Sequence, residues 1–165
     1  MTDPGGRPAD PAPGAGAGPA RRLIPVGAQP TRSGGPAQPA VNLFDAVGGQ
    51  PFFDELVARF YAGVDADPVL RPLYPDDLTE PTRHLALFLG QYWGGPTTYS
   101  DERGHPRLRM RHVPFVIGEA ERDAWLRHMC AALDSLVDER DIHPAIEARM
   151  LDYFGMAADG MINAR

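Results

Sequence analysis

One stretch, Tyr92 to Phe115, limits what this chain can fold into more than any other: Y-W-G-G-P-T-T-Y-S-D-E-R-G-H-P-R-L-R-M-R-H-V-P-F. Helical patterns precede and follow it, so it must connect them. It is far longer than the two to eight residues that usually join bundled helices. Gly94-Gly95-Pro96 halts the helix before it. Pro114 disfavours helical backbone at Val113, so a short helix within the stretch should stop near His112 and leave that imidazole at its end. A loop of about ten residues is expected between Gly94-Gly95-Pro96 and that short helix.

The rest of the domain reads as helices. Phe52, Phe53, Leu56, Val57, Phe60, Tyr61 and Val64 recur at helical spacing after Gly48-Gly49 and Pro51, and the run closes near Asp67-Pro68. Val69 to Leu73 resembles a single turn. Leu85, Phe88, Leu89 and Tyr92 mark a second helix, which starts near Thr79-Glu80-Pro81 with Pro in its first turn. Trp125, Met129, Leu133 and Leu136 define a long helix over 121–137, and Ile146, Met150, Tyr153, Phe154 and Ala157 another over 142–162. Apolar residues nowhere alternate as strands do, which makes the class all-α. Four substantial helices could form a plain bundle, but a bundle has no use for the long connection. A two-over-two sandwich clasping a flat ligand does, because extended chain must cover one ligand edge.

Residues 1–40 differ in kind from residues 41–165. Twenty-five of the first 40 are Pro, Gly or Ala, with only Met1, Leu23, Ile24 and Val26 as larger aliphatics. Such a segment buries too little apolar surface to offset its ordering entropy, so a disordered tail is expected there. The apolar runs are too short for a signal peptide or a membrane span. The net charge is −6. An acidic domain without a broad basic face argues against nucleic acid. A single cysteine, Cys130, excludes an internal disulfide and fits a reducing cytoplasm. It falls within an apolar helical pattern, where a buried, inert thiol is expected.

Taken on residue type alone, His112 is more readily a structural histidine than a ligand. Three motifs together decide otherwise: D-A-V-G-G at 45–49, Y-W-G-G-P at 92–96, and R-G-H-P-R-L-R-M-R-H at 103–112 followed by E-R-D-A-W-L-R at 121–127. From about Asn42 to Asn163 the chain resembles the group II, or O-type, truncated haemoglobins. The resemblance implies a truncated globin two-over-two helical sandwich around haem b, with His112 as the axial ligand of the iron. Arg109, three residues earlier, becomes the best propionate partner among Arg107, Arg109 and Arg111, with His84 and the Tyr99 hydroxyl as further candidates.

On the ligand side the resemblance places Tyr61, Tyr74 and Trp125 as hydrogen-bond donors. A tyrosine at 74 allows cross-linking of the two phenols. Leu85, Phe88, Met110, Phe115 and Met129 are expected as apolar contacts. One departure stands out. The segment 75–82 is a residue shorter than the usual pattern, and Pro81 occupies the place of the usual distal histidine. A haem protein that reversibly binds dioxygen is therefore expected, for oxygen binding, storage or delivery. Carbon monoxide and nitric oxide are further ligands, and an electron-donating reductase is the expected protein partner. The alternatives are a haem enzyme, acting as a nitric oxide dioxygenase or peroxidase, and more remotely a non-haem helical interaction module.

Overall fold

The computed structural model describes residues 42–164, and the disordered tail expected over residues 1–40 lies outside them. Among the described residues every regular element is helical. They are α1 (Leu43–Ala46), α2 (Gln50–Asp65), a 3-10 turn (Arg71–Leu73), α3 (Thr79–Tyr92), α4 (Thr98–Arg103), α5 (Leu108–His112), α6 (Glu119–Arg140) and α7 (Pro144–Met161). No described helix is long and apolar enough to cross a membrane.

The four long helices form two pairs. α2 packs on α3 and on α6, and α6 packs on α7. The expected apolar face of α2 is the centre of the core: Phe52, Phe53, Leu56, Val57, Phe60, Tyr61 and Val64 are all buried. Met129, Leu133 and Leu136 of α6 and Met150 and Phe154 of α7 meet it with no exposed surface. Side chains three and four residues apart share one side of a helix, so each apolar stripe seats against its neighbour.

α1 is an element the periodicity misses. Asn42 caps it, its Oδ1 accepting the Asp45 N–H at 2.8 Å, while its Nδ2 donates to the Gly94 carbonyl at 3.1 Å. Phe44 N–H also donates to the Trp93 carbonyl at 3.0 Å. Gly94 is therefore needed twice over. Its φ is +106°, and a Cβ there would lie 2.8 Å from Asn42 Nδ2.

The loop expected to run extended past Gly94-Gly95-Pro96 instead contains α4. Gln91 holds it, donating to Ser100 Oγ at 2.6 Å and accepting the Ser100 N–H at 3.0 Å. α5 does stop at His112, but not because Val113 leaves helical space. Val113 keeps φ −53° and ψ −39°. Pro114 ends the ladder because it has no N–H to donate to the carbonyl four residues back.

Asp67 fastens the exit of α2 to α6 and is the buried charged residue among those described. Its Oδ1 accepts the Val69 and Leu70 N–H groups at 2.8 and 3.1 Å, and its Oδ2 accepts Arg127 Nη2 and His128 Nε2, both at 2.7 Å. These bonds, His128 first, hold the carboxyl well below the usual carboxylate range. A depressed folded pKa adds stability that is complete above the unfolded value of about 3.9 and is lost as pH falls toward the folded value. Asp67→Asn is therefore expected to lower Tm at neutral pH. The Tm gap from the parent protein should narrow steadily below about pH 4. A gap that stays constant with pH would remove the ion-pair role.

Cys130 is half-buried rather than fully buried. Burial, reinforced by Asp134, raises its thiol pKa, so the expectation of a poorly reactive thiol keeps its physical basis.

Candidate functional site

The helices enclose a cavity of about 560 Å³, within the roughly 300–1,000 Å³ typical of small-molecule and cofactor sites. Its walls are mostly aromatic and aliphatic. Tyr61, Leu70 and Tyr74 come from α2 and the turn after it; His84, Leu85 and Phe88 from α3; Tyr99 from α4; Leu108, Arg111 and His112 from α5; Trp125 from α6; Tyr153 and Phe154 from α7. Phe115 and Pro81 also line it.

At His112, Nδ1 lies 2.6 Å from the Leu108 carbonyl, one turn back in α5. A carbonyl only accepts, so Nδ1 carries the hydrogen and the neutral ring keeps its lone pair on Nε2. The end of the helix is itself secured. The His112 carbonyl accepts the Phe115 N–H at 3.0 Å and Asn163 Nδ2 at 3.2 Å. Asn163 also donates to the Phe115 carbonyl at 2.9 Å and accepts the Ile117 N–H at 3.0 Å. The other histidines are engaged differently: His105 accepts the Arg107 N–H, His128 binds Asp67, and His143 caps α7 through the Ala145 N–H.

Tyr61, Tyr74 and Trp125 line the same cavity. The Tyr61 and Tyr74 rings meet edge-on at 5.4 Å, and Phe60 props the Trp125 ring, also at 5.4 Å. Burial, then the neighbouring Tyr74, pushes the Tyr61 phenol far up. Burial pushes Tyr74 up to about 12, with the Trp125 indole acting in the opposite direction. Both phenols therefore keep their hydrogens at neutral pH. Pro81 offers no N–H to the cavity.

Arg109, Met110 and Met129 do not line the cavity, contrary to the expectation for them. α5 is only five residues long, and its single inward face takes Leu108, Arg111 and His112 at helical spacing. Arg109 and Met110 fall on the outer face, Met110 being 66% exposed. Met129 is fully buried one turn beyond Trp125, in the core between helices. The cavity touches only the first turns of α6, through Glu121, Arg122 and Trp125.

Other residues supply the polar rim. Arg103 Nη1 lies 3.2 Å from His84 Nδ1, and Glu80 is 3.2 Å from His84 Nε2. Burial, then Arg103, lowers the His84 pKa. Arg111 is committed to backbone, donating to the Pro106 and Arg103 carbonyls at 2.8 Å each. Arg122 is engaged with Asp159 at 2.6 Å. Applying the spacing i−4 and i−1 to His112 would have found Leu108 and Arg111. No sequence signal points to Asn163, Tyr153 or Arg103.

An all-helical, two-over-two arrangement around an apolar cavity, with a histidine at a helix end, defines a truncated globin. Comparison with known proteins agrees. The family model for bacterial-like globins matches residues 42–159. The chain belongs to that family. It is 43% identical over 102 residues to the group 2 truncated hemoglobin YjbI of Bacillus subtilis, spanning 62% of this chain and 77% of that protein. It is 34% identical over 116 residues to two-on-two hemoglobin-3 of Arabidopsis thaliana, spanning 68% of this chain and 64% of that protein. Among solved structures, the thermostable hemoglobin of Thermobifida fusca is 52% identical with a TM-score of 0.70, covering 74% of this chain and 97% of that one. The group II truncated hemoglobin of Bacillus anthracis is 39% identical with a TM-score of 0.69, covering 78% and 95%.

Membership in the globin family carries haem, its iron and the binding of dioxygen with it. The residues fit such a group. The cavity has apolar walls for a macrocycle, an imidazole with a fixed tautomer, and Arg103 and His84 beside each other at the rim for acidic substituents.

Proposed function

We propose that this chain is a cytoplasmic protein that holds haem b through His112 Nε2 and binds dioxygen reversibly, for storage or delivery. The observation that carries this reading is the 2.6 Å bond from His112 Nδ1 to the Leu108 carbonyl, on a helix end that opens into the same cavity as Tyr61, Tyr74 and Trp125. A ferrous haem supplies a reversible binding position for small gases. The protein's contribution is orientation and polarity. The Leu108 carbonyl fixes the ring tautomer and makes Nε2 more basic. Tyr61, Tyr74 and Trp125 offer O–H and N–H donors to a ligand that gathers negative charge, while the apolar remainder excludes water.

Arg103 takes the propionate role expected of Arg109, with His84 beside it. Cys130 is not among the cavity-lining residues, so no thiol is placed to link the cofactor covalently, which favours haem b. Carbon monoxide and nitric oxide satisfy the same site chemistry, and a reductase that returns the iron to the ferrous state is the partner the reading requires.

The test is the optical spectrum of the full-length protein, ferric, ferrous, and then with dioxygen and carbon monoxide. A Soret band that shifts with each gas is expected. No Soret band after reconstitution with haem would overturn the proposal.

A further inference from the structure

A pair of stacked phenols leads out of the cavity. Tyr153 of α7 lines the cavity and is only 7% exposed. Its ring stacks on Tyr92, the last residue of α3, with centroids 4.0 Å apart and planes 25° apart. Tyr92 is 39% exposed. One aromatic contact thus spans the distance from cavity wall to solvent.

The neighbouring aromatics do not offer an equal route. Trp93 touches both rings, at 5.0 Å from Tyr92 and 5.5 Å from Tyr153. The Arg149 guanidinium lies 5.7 Å from the centre of the Trp93 ring and also acts on the Tyr92 phenol, where it favours loss of the proton. The Trp93 indole N–H is buried without an acceptor, so its proton has no exit. Tyr99 reaches Tyr92 only through Phe88, at 5.5 and then 6.2 Å, two longer contacts where Tyr153 needs a single stack at 4.0 Å. Tyr61 and Tyr74 are paired with each other inside the cavity.

We propose that Tyr92 is a surface oxidation site, coupled through Tyr153 to the cavity, at which oxidising equivalents delivered by hydrogen peroxide reach small phenols or a second copy of the chain. The inference rests on the haem reading above. In each event one electron leaves Tyr92 and crosses the stack inward, its phenolic O–H bond breaks, and the proton passes to solvent. Tyr153 keeps its proton, because burial leaves that phenol reluctant to ionise. Two such events supply the two electrons, and solvent returns the two protons, that cleave the peroxide O–O bond and yield two waters. A phenol then gives a hydrogen atom to the Tyr92 radical and restores it. Without a phenol, two Tyr92 radicals on separate chains join through a ring carbon–carbon bond. The sum is one peroxide and two tyrosines giving one dityrosine and two waters.

The experiment treats full-length ferric haem protein with hydrogen peroxide, with and without a nitroso spin trap. It reads covalent dimer on a denaturing gel and maps the adduct or link by peptide mass spectrometry. The expected product sits on Tyr92. Tyr92→Phe, which keeps the ring stack and lies outside the cavity wall, should retain haem content and the Soret band while losing the Tyr92 adduct and the dimer. Tyr153→Phe should keep the ring contact and still give the Tyr92 product. A product confined to other residues, a dimer that survives Tyr92→Phe, or no product despite a normal Soret band overturns the inference and leaves the haem reading intact. No Soret band would overturn both.

Discussion

Replacing His112 by Ala should leave a helical protein that loses its haem. His112 sits at the end of a five-residue helix, and the fold around it is held by α2, α3, α6 and α7 and by the Asn163 clamp, none of which needs the imidazole. Removing even an outer partner of a metal ligand typically costs about 10- to 100-fold in affinity, so losing the ligand itself should cost at least that. A group bound at about 1,000 times its Kd contributes about 4 kcal/mol to folded-state stability. The variant should therefore also melt earlier than the holo parent, near the temperature of the haem-free parent. Haem content per chain and the Soret band check this, and added imidazole should restore part of both. A variant that retains stoichiometric haem with an unchanged spectrum would remove His112 from the axial role.

The second large effect belongs to Trp125. Phe retains the ring that packs on Phe60 and Phe154 at 5.4 and 6.0 Å but removes the indole N–H. A hydrogen bond to a charge-bearing partner is worth roughly 1.5–3 kcal/mol, which converts to about 10- to 100-fold in an equilibrium or a release rate. Trp125→Phe should speed dioxygen release by that order, measured by stopped-flow displacement with carbon monoxide. Carbon monoxide gathers less negative charge, and its own release should change less. The indole also faces the Tyr74 hydroxyl, acting against the upward push of burial on that phenol. The same substitution should therefore push the Tyr74 phenol further up. Unchanged dioxygen release would leave Trp125 as a packing residue only.

The local pattern of the chain was sufficient for the four long helices and for the short one that ends at His112. The spacing of Phe52, Phe53, Leu56, Val57 and Phe60 defines α2 because a helix buries one stripe, and side chains on that stripe recur at helical spacing. Pro51, Pro81 and Pro114 mark ends because each limits its own backbone, and Gly94 because it takes up a positive φ that other residues resist. α1 and α4 escaped notice because they are too short to show a period. α1 in particular exists through bonds to Trp93 and Gly94, far along the chain. α4 is held by Gln91, nine residues away.

The site divides along the same line. The residue types that could serve a haem, His112 and the donors Tyr61, Tyr74 and Trp125, could be named from their motifs, and the cavity gathers all four. Direction could not be named. The sequence favoured Arg109 by its spacing from His112, yet only Arg111 lines the cavity, because the orientation of a five-residue helix is set by what packs against it. Asn163 reaches back to His112 from the chain's far end, and Tyr92 finds Tyr153 across two helices. The sequence by itself determined which long segments are helical and which chemistry they carry, since propensity, periodicity and backbone limits act over a few residues. Only the tertiary structure decided which side chains share the cavity and which pair leads out of it, since those contacts join residues tens of positions apart and depend on how whole helices pack.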